Sequence, residues 1–414
     1  MSERRVVVTG LGIVSSIGST LTDVLASLTD RTSGLRYCPE LAELGFACHV
    51  YAPVQGWHPE RLPKRTLQAT SAVGQYALSA AMAAIADAGL ATSELQNDRT
   101  AVIIGSAFGG LDEANRVDQL LRTRKSPSRA GGTSVLKMLN SSAAGTVATS
   151  IGAQGRAYSL ASAFATGADC IGHAYDLIRL GLQDIALCGG SEESVWHYLE
   201  TTFAAFGTVP TAFNDRPQAA SRPFDRDRQG VIFSEGAGVL LLEPLERARA
   251  RGARVYGEIV GYGSANDGAD MFRPTGEGLA AAIRQALDGA RAQGVERIDY
   301  VNPHATGTPL GDAAEMAVLR ECLPERPWVS GTKGQTGHAL GAAGAQEAIL
   351  TLLMLEHNFL APTFNLENLD PACEGLNHVF EVRQEALNSA LTISIGLGGC
   401  NAGIVVRKVE GDEQ

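Results

Sequence analysis

Aromatic residues are scarce in this chain of 414 residues, at 6%. Positive charge is also in deficit: 34 Lys and Arg face 45 Asp and Glu, a net charge of −11. That balance argues against a nucleic-acid or anionic-membrane binder, so no nucleic-acid partner is expected. No apolar run reaches the roughly 18 residues a membrane helix needs, so no membrane insertion is expected. The start, MSERRVVVTGLG, runs straight into a strand and lacks the apolar stretch of a signal peptide. Seven cysteines are scattered without CxxC spacing, which suggests neither a disulfide framework nor a zinc site and makes a reducing cytoplasm the simpler reading. GxSxG, HExxH and Walker A patterns are missing, which removes the main support for hydrolase, zincin and P-loop chemistry. Gly10, Gly12 and Gly18 do not complete GxGxxG, because Ser15 stands where the third glycine belongs. Those glycines are expected in turns, and no cofactor or metal is expected.

What is present is glycine, 47 in all, and a hydrophobic content of 45%. β-branched runs (RVVVTG, AVIIGS, QDIALCGG) alternate with Ala- and Leu-rich helical stretches such as QYALSAAMAAIADAG. This alternation predicts an α/β protein whose sheet carries helices on both faces. The helix around Ala77 to Ala88 is apolar nearly all round and is expected between layers. The second half replays the first: RVVVTGLGIVSSIG is matched by VYGEIVGYGSANDG, AVIIGSAFGG by YVNPHATGTPLGD, SLASAFATGADCIGHAYDLI by VSGTKGQTGHALGAAGAQEAIL, and DIALCGGSEES by LTISIGLGGCNAG. Four matches in one order predict a duplicated unit, residues 1–250 and 251–414, whose loops converge on a shared cleft.

Two histidines follow matched strands. His304 lies in NPHATGTPLGDAAE and His338 in GTKGQTGHALGAAGA. A lone histidine is more often a structural hydrogen-bonder; two at matched turns point to a pair of N–H donors for a carbonyl oxygen gaining charge. Lys333 is placed to balance charge or order a water, and Glu315 and Asp312 either orient these groups or merely cap a helix. In SLASAFATGADC, Phe164 occupies a strand-to-helix turn that usually presents a small nucleophile.

With SRPFDRDRQGVIFSEGAGVLLLE, HATGTPLGD, TKGQTGHALGAAGAQEAI and GLGGCNAGIVVRK in order along the chain, the sequence resembles the β-ketoacyl-acyl-carrier-protein synthases of the thiolase superfamily. It is most similar to the elongating type I and II enzymes of bacterial fatty acid synthesis. The resemblance implies a thiolase-like duplicated α-β-α-β-α layered fold with mixed five-stranded sheets. It implies decarboxylative Claisen condensation: a cysteine thiolate takes an acyl group, and the enolate from malonyl-carrier-protein attacks it. The family's cysteine turn corresponds here to Ser162-Ala163-Phe164-Ala165-Thr166-Gly167, so the nucleophile position is Phe164. Cys170 lies six residues on, inside the helix, and Cys188 and Cys400 read as small packing residues. By resemblance His304 and His338 stabilise the enolate, Lys333 and Glu315 support them, and the amides of Phe164 and Gly399 form the oxyanion hole.

Phenylalanine has no lone pair with which to attack, so acyl transfer is expected to fail. The retained His304, His338, Lys333 and Glu315 favour an engineered Cys→Phe exchange. Other departures favour a natural non-condensing member resembling the chain-length factors that pair with an active ketosynthase. The family's gating loop carries two phenylalanines where this chain reads Ile395-Gly396-Leu397-Gly398, and Ala305 replaces a glycine. The resemblance also implies acyl carrier protein, in acyl and malonyl forms, as a partner, and a homodimer or a heterodimer with a ketosynthase paralogue. Because the carrier is acidic, Lys64, Arg65, Arg122, Arg124, Lys125 and Arg129 are the docking candidates; a solvated charged loop accounts for the second run equally well.

Overall fold

The computed structural model describes residues 3–271 and 274–409, leaving the side chain of Trp196 aside. Its strands are β1 (Val6–Val14), β2 (Thr100–Gly105), β3 (Ala157–Tyr158), β4 (Ile185–Glu192), β5 (Gly236–Pro244), β6 (Gly257–Asn266), β7 (Tyr300–Asn302), β8 (Trp328–Val329), β9 (Asn377–His378), β10 (Ser389–Gly396) and β11 (Cys400–Arg407). The helices that matter for the site are α1 (Ala72–Asp87), α2 (Leu111–Arg124), α3 (Thr166–Arg179), α4 (Trp196–Ala205), α5 (Glu277–Ala292), α6 (Pro309–Cys322) and α7 (Ala343–His357).

These strands form one sheet in the order β9-β8-β7-β10-β11-β6-β1-β5-β4-β2-β3. Reading outward from β1, the neighbours are antiparallel β5 and β4, then parallel β2 and β3. Reading outward from β6, they are antiparallel β11 and β10, then parallel β7 and β8. The same motif is thus laid down twice. Each side carries the expected mixed five-stranded set, with two additions. The second side gains the two-residue β9, and a short antiparallel ladder pairs Val6 with Ile259, Val7 with Glu258 and Val8 with Gly257. The ladder follows from burial: edge amides and carbonyls inside the molecule need partners, and each strand supplies the other's.

Helices α3 and α7 pack on each other and on strands of both sides, forming the middle layer. Helix α1 covers β1 and β5 on one outer face, and α5 with α6 covers the other. The alanine-rich helix is therefore not between layers as expected. Met82 is 42% exposed, whereas α7 is buried over Ala343–Leu355. Alanine side chains are too small to mark which face of α1 meets the sheet.

Gly10 and Gly12 also differ from the turn expectation, because both lie within β1. A Cβ at Gly12 would stand 1.9 Å from the carbonyl oxygen of Ala80, and one at Gly10 2.1 Å from that of Ala84. The glycines let α1 approach the strand closely. Since helix backbone cannot yield as a side-chain tip can, Gly12→Ala is expected to destabilise the fold by about 3 kcal/mol in chemical denaturation. An unchanged midpoint would contradict this packing.

Candidate functional site

The chain leaves β3 and enters a single 3-10 turn, Ala163–Ala165, before α3 begins at Thr166. Ala163 holds φ +50, a left-handed conformation that costs energy for a residue with a Cβ. Side chains secure the turn. Thr166 Oγ1 accepts from the Ser162 amide at 3.0 Å and donates to the Ala163 carbonyl at 2.7 Å. Ser162 Oγ donates to Asp169, whose other oxygen accepts from the Tyr262 hydroxyl at 2.7 Å. A Cβ on Gly167 would lie 2.8 Å from the Ala345 amide, so α3 and α7 meet closely there.

On this turn Phe164 is 5% exposed and points at the histidines. Its ring stands edge-on to His338 with centroids 4.8 Å apart, and His338 stands edge-on to His304 at 5.1 Å. His338 is pinned by its backbone: its amide donates to Ile232 at 2.8 Å, and its carbonyl accepts from Ser234 at 2.9 Å. Both ring nitrogens of His338 and Nδ1 of His304 are buried without hydrogen-bond partners in the fold. Burial, reinforced by the Lys333 charge, holds both imidazoles well below the ordinary histidine range. They are neutral at physiological pH, each with one N–H to donate.

Lys333 is 1% exposed and pairs through Nζ with Glu347 Oε1 on α7 at 2.5 Å. Burial pushes the Glu347 carboxyl up to about 7, against the opposing pull of Lys333. Glu315 does something other than orient a side chain. Its two oxygens accept the amides of His304 at 2.6 Å and Ala305 at 2.8 Å, which fixes the histidine's backbone. Asp312 likewise accepts amides, from Phe224 at 2.9 Å and Gly307 at 3.1 Å.

Apolar residues enclose the other side of Phe164, among them Leu199, Phe233, Leu340, Phe108 and Phe203. No cysteine takes the ring's place. Cys170 and Cys188 are fully buried, and burial raises the Cys170 thiol to about 12. Cys400 sits at the start of β11, 3.8 Å from Asn266 Nδ2.

The turn between β10 and β11 modifies one expectation. Gly398 and Gly399 take φ +84 and +76, swinging Gly399 against Asp267 and Asn266 at the end of β6. The glycine set beside the Phe164 amide is Gly396, where a Cβ would lie 3.1 Å from that nitrogen. Ile395 packs toward the α5–α6 core, while Leu397 is 42% exposed.

Residues 3–248 match the family described as "Beta-ketoacyl synthase, N-terminal domain", and residues 256–367 match its C-terminal domain. The chain belongs to the β-ketoacyl synthase family. It is 41% identical over 410 residues to 3-oxoacyl-[acyl-carrier-protein] synthase 1 of Haemophilus influenzae, covering 99% of this chain and 100% of that one. Among solved structures, a beta-ketoacyl synthase from Burkholderia phymatum superposes with a TM-score of 0.92 at 34% identity, covering 98% and 100% of the two chains. The ishigamide ketosynthase/chain length factor superposes at 0.90 with 33% identity, covering 99% and 100%.

Sequence reasoning missed two buried carboxyls near these residues, Glu347 and Glu200. Glu347 had a usable signal, as the one charge within the run GAAGAQEAILTLLML. Glu200, on α4, is 1% exposed, and its Oε2 has no partner in the fold. Burial pushes its carboxyl up to about 8, against a hydrogen bond with Cys48. The folded carboxyl keeps its proton up to about pH 8, whereas the unfolded one releases it near 4.5. This group's contribution to stability is therefore full below 4.5 and is lost as pH rises toward 8. Glu200→Gln should gain on the parent over that interval, by at most ~1.4 kcal/mol per pH unit. A stability gap that does not vary with pH would refute this.

The basic candidates are all exposed. Lys64 and Arg65 open the helix Lys64–Ala69, which packs on the helix Ser134–Met138; that helix packs on α2, the helix carrying Arg122 and Arg124. Lys125 caps α2 with φ 45, and Arg129 closes the following 3-10 turn. The two runs thus sit on neighbouring elements.

Proposed function

We propose that this chain is a ketosynthase-fold protein of fatty acid or polyketide assembly in which acyl transfer is blocked at Phe164, the position where the family carries its cysteine. The observation that carries the reading is the Phe164 ring packed edge-on against His338 at 4.8 Å, with His304 behind it. A benzyl group cannot form a thioester, and it fills the place where an acyl carbon would stand. An exchange introduced on purpose and one acquired in a lineage block this step alike. The imidazoles, Lys333 and Glu347 remain suited to the second half of the chemistry. The bond from the malonyl α-carbon to its carboxylate breaks, carbon dioxide leaves, and the electron pair delocalises onto the thioester oxygen. The N–H groups of His304 and His338 bind that oxygen. With no acyl group to attack, the enolate carbon takes a proton and leaves as the acetyl thioester.

The name of the Haemophilus relative supports acyl carrier protein as the partner, docked by Lys64, Arg65, Arg122, Arg124, Lys125 and Arg129. A cytoplasmic setting and a division into halves 1–250 and 251–414 fit the same reading. The second reading is a non-condensing subunit of a heterodimer. The ketosynthase/chain length factor neighbour favours it, as do Ile395 and Leu397 in the gating loop Ile395-Gly396-Leu397-Gly398. Strand β3, at the end of the sheet, would pair with its counterpart in a second copy or in a paralogue.

The purified chain, mixed with acyl-carrier-protein, is expected to show no acyl mass adduct, and with malonyl-carrier-protein to release carbon dioxide. A β-ketoacyl product from the chain alone would overturn the proposal. Product that forms only when a cysteine-bearing paralogue is added selects the subunit reading.

A further inference from the structure

Glu192 ends β4, is fully buried, and lies outside the chemistry described above. Four donors converge on its carboxylate. Oε1 accepts from Ser106 Oγ at 2.7 Å and the Phe108 amide at 3.3 Å. Oε2 accepts from the Ala107 amide at 2.8 Å and the Gly341 amide at 3.2 Å. Ser106 Oγ in turn accepts the Gly109 amide at 2.8 Å, so one carboxylate organises the whole turn from Ser106 to Gly109.

The two groups of donors belong to opposite sides of the site. Phe108 lines the apolar chamber around Phe164. Gly341 follows His338 by three residues, and between them Leu340 is held at φ +54 with its side chain in the same chamber. The join is tight: a Cβ on Gly341 would lie 2.7 Å from both the Ala107 amide and Glu192 Oε2. A carboxylate is the side chain that suits this junction, because it offers two acceptor oxygens and no competing donor.

We propose that Glu192 is a positioning residue that fixes the His338–Gly341 segment to the chamber wall carrying Phe108, and so sets where the His338 imidazole stands relative to the acyl position. The role in catalysis rests on the function proposed above; the role in placing the imidazole does not.

Glu192→Gln keeps the size of the side chain but turns an NH2 toward either the Ser106–Phe108 donors or the Ala107–Gly341 pair. In the chain as it stands, with histidine rings isotopically labelled, the His338 ring signals should shift while those of the distant His378 stay in place. Ser106→Ala, which removes one bond and spares the carboxylate, should move them in the same sense by less, and it carries the test if Glu192→Gln does not fold. Unmoved His338 signals in a folded variant overturn the proposal.

A second arm places Glu192→Gln in a Phe164→Cys chain. Acylation of Cys is expected to stay within about twofold, while kcat for the malonyl step falls about tenfold with its KM little changed. Equal losses in both steps would mean only a smaller folded fraction, and would overturn the catalytic role. If the Phe164→Cys parent itself forms no product, the function proposal has failed, and the ring signals alone decide the place of Glu192.

Discussion

Phe164→Cys is expected to convert a chain that forms no acyl adduct into one that does, raising acyl transfer at least ~10³-fold over the parent. The turn that would present the thiol is already built. Ala163 holds its left-handed conformation, Thr166 and Asp169 brace the turn, and α3, of 14 residues, starts two residues later. The partial positive charge at that helix N-terminus favours thiolate. Removing the ring also vacates the space beside His338. Intact-protein mass after incubation with acyl-carrier-protein reads the first half-reaction, and β-ketoacyl product with malonyl-carrier-protein reads the second. The neutral imidazoles that the proposed second step would use persist as pH falls through the ordinary histidine value of 6.5, since their folded pKa lies well below it. A folded Phe164→Cys chain that is never acylated, alone or with a paralogue, would mean that Phe164 is not the nucleophile position.

Glu347→Ala is expected to cost about 3–5 kcal/mol of stability, because it strands the Lys333 ammonium in the interior. Lys333 is 1% exposed and Glu347 2% exposed, so water cannot replace the missing partner without opening the core. The companion change Lys333→Met removes the charge that helps depress both imidazoles, so its histidines should bind protons more readily as pH falls. Combining Lys333→Met with Glu347→Leu should recover most of the stability lost in the single variants, while malonyl decarboxylation stays impaired. Additive losses in the double variant would show that the two groups are not coupled. The histidines carry a pH consequence of their own. Their folded pKa lies below the unfolded 6.5, so their contribution to stability is intact above 6.5 and declines as pH falls toward the folded value.

Much of the site was legible because it is built from short motifs. His304 sits just after a strand, Phe164 in the turn before α3 and His338 just after the short helix Lys333–Thr336, all in segments whose small residues leave little choice of conformation. The duplicated strand order was legible for the same reason, through four paired segments. The position of α1 was not, since alanine marks no preferred face. Gly10 and Gly12 likewise read as turn residues until the carbonyl oxygens of Ala84 and Ala80 were seen beneath them. The motif paired the Gly399 amide with that of Phe164, but two successive left-handed glycines set Gly399 against Asp267 and Asn266 and leave Gly396 beside the Phe164 amide.

The residue order by itself determined that the chain alternates strands and helices twice over, that two histidines lie in matched small-residue segments, and that an aromatic side chain, Phe164, stands at a turn leading into a helix. Local spacing and side-chain chemistry are enough for those conclusions. Only the tertiary structure decided that Lys333 pairs with Glu347, that Glu315 holds backbone amides, and that Glu192 joins the His338 segment to the chamber wall. In each case a buried charge must find a partner, and which group comes within reach depends on how distant segments pack.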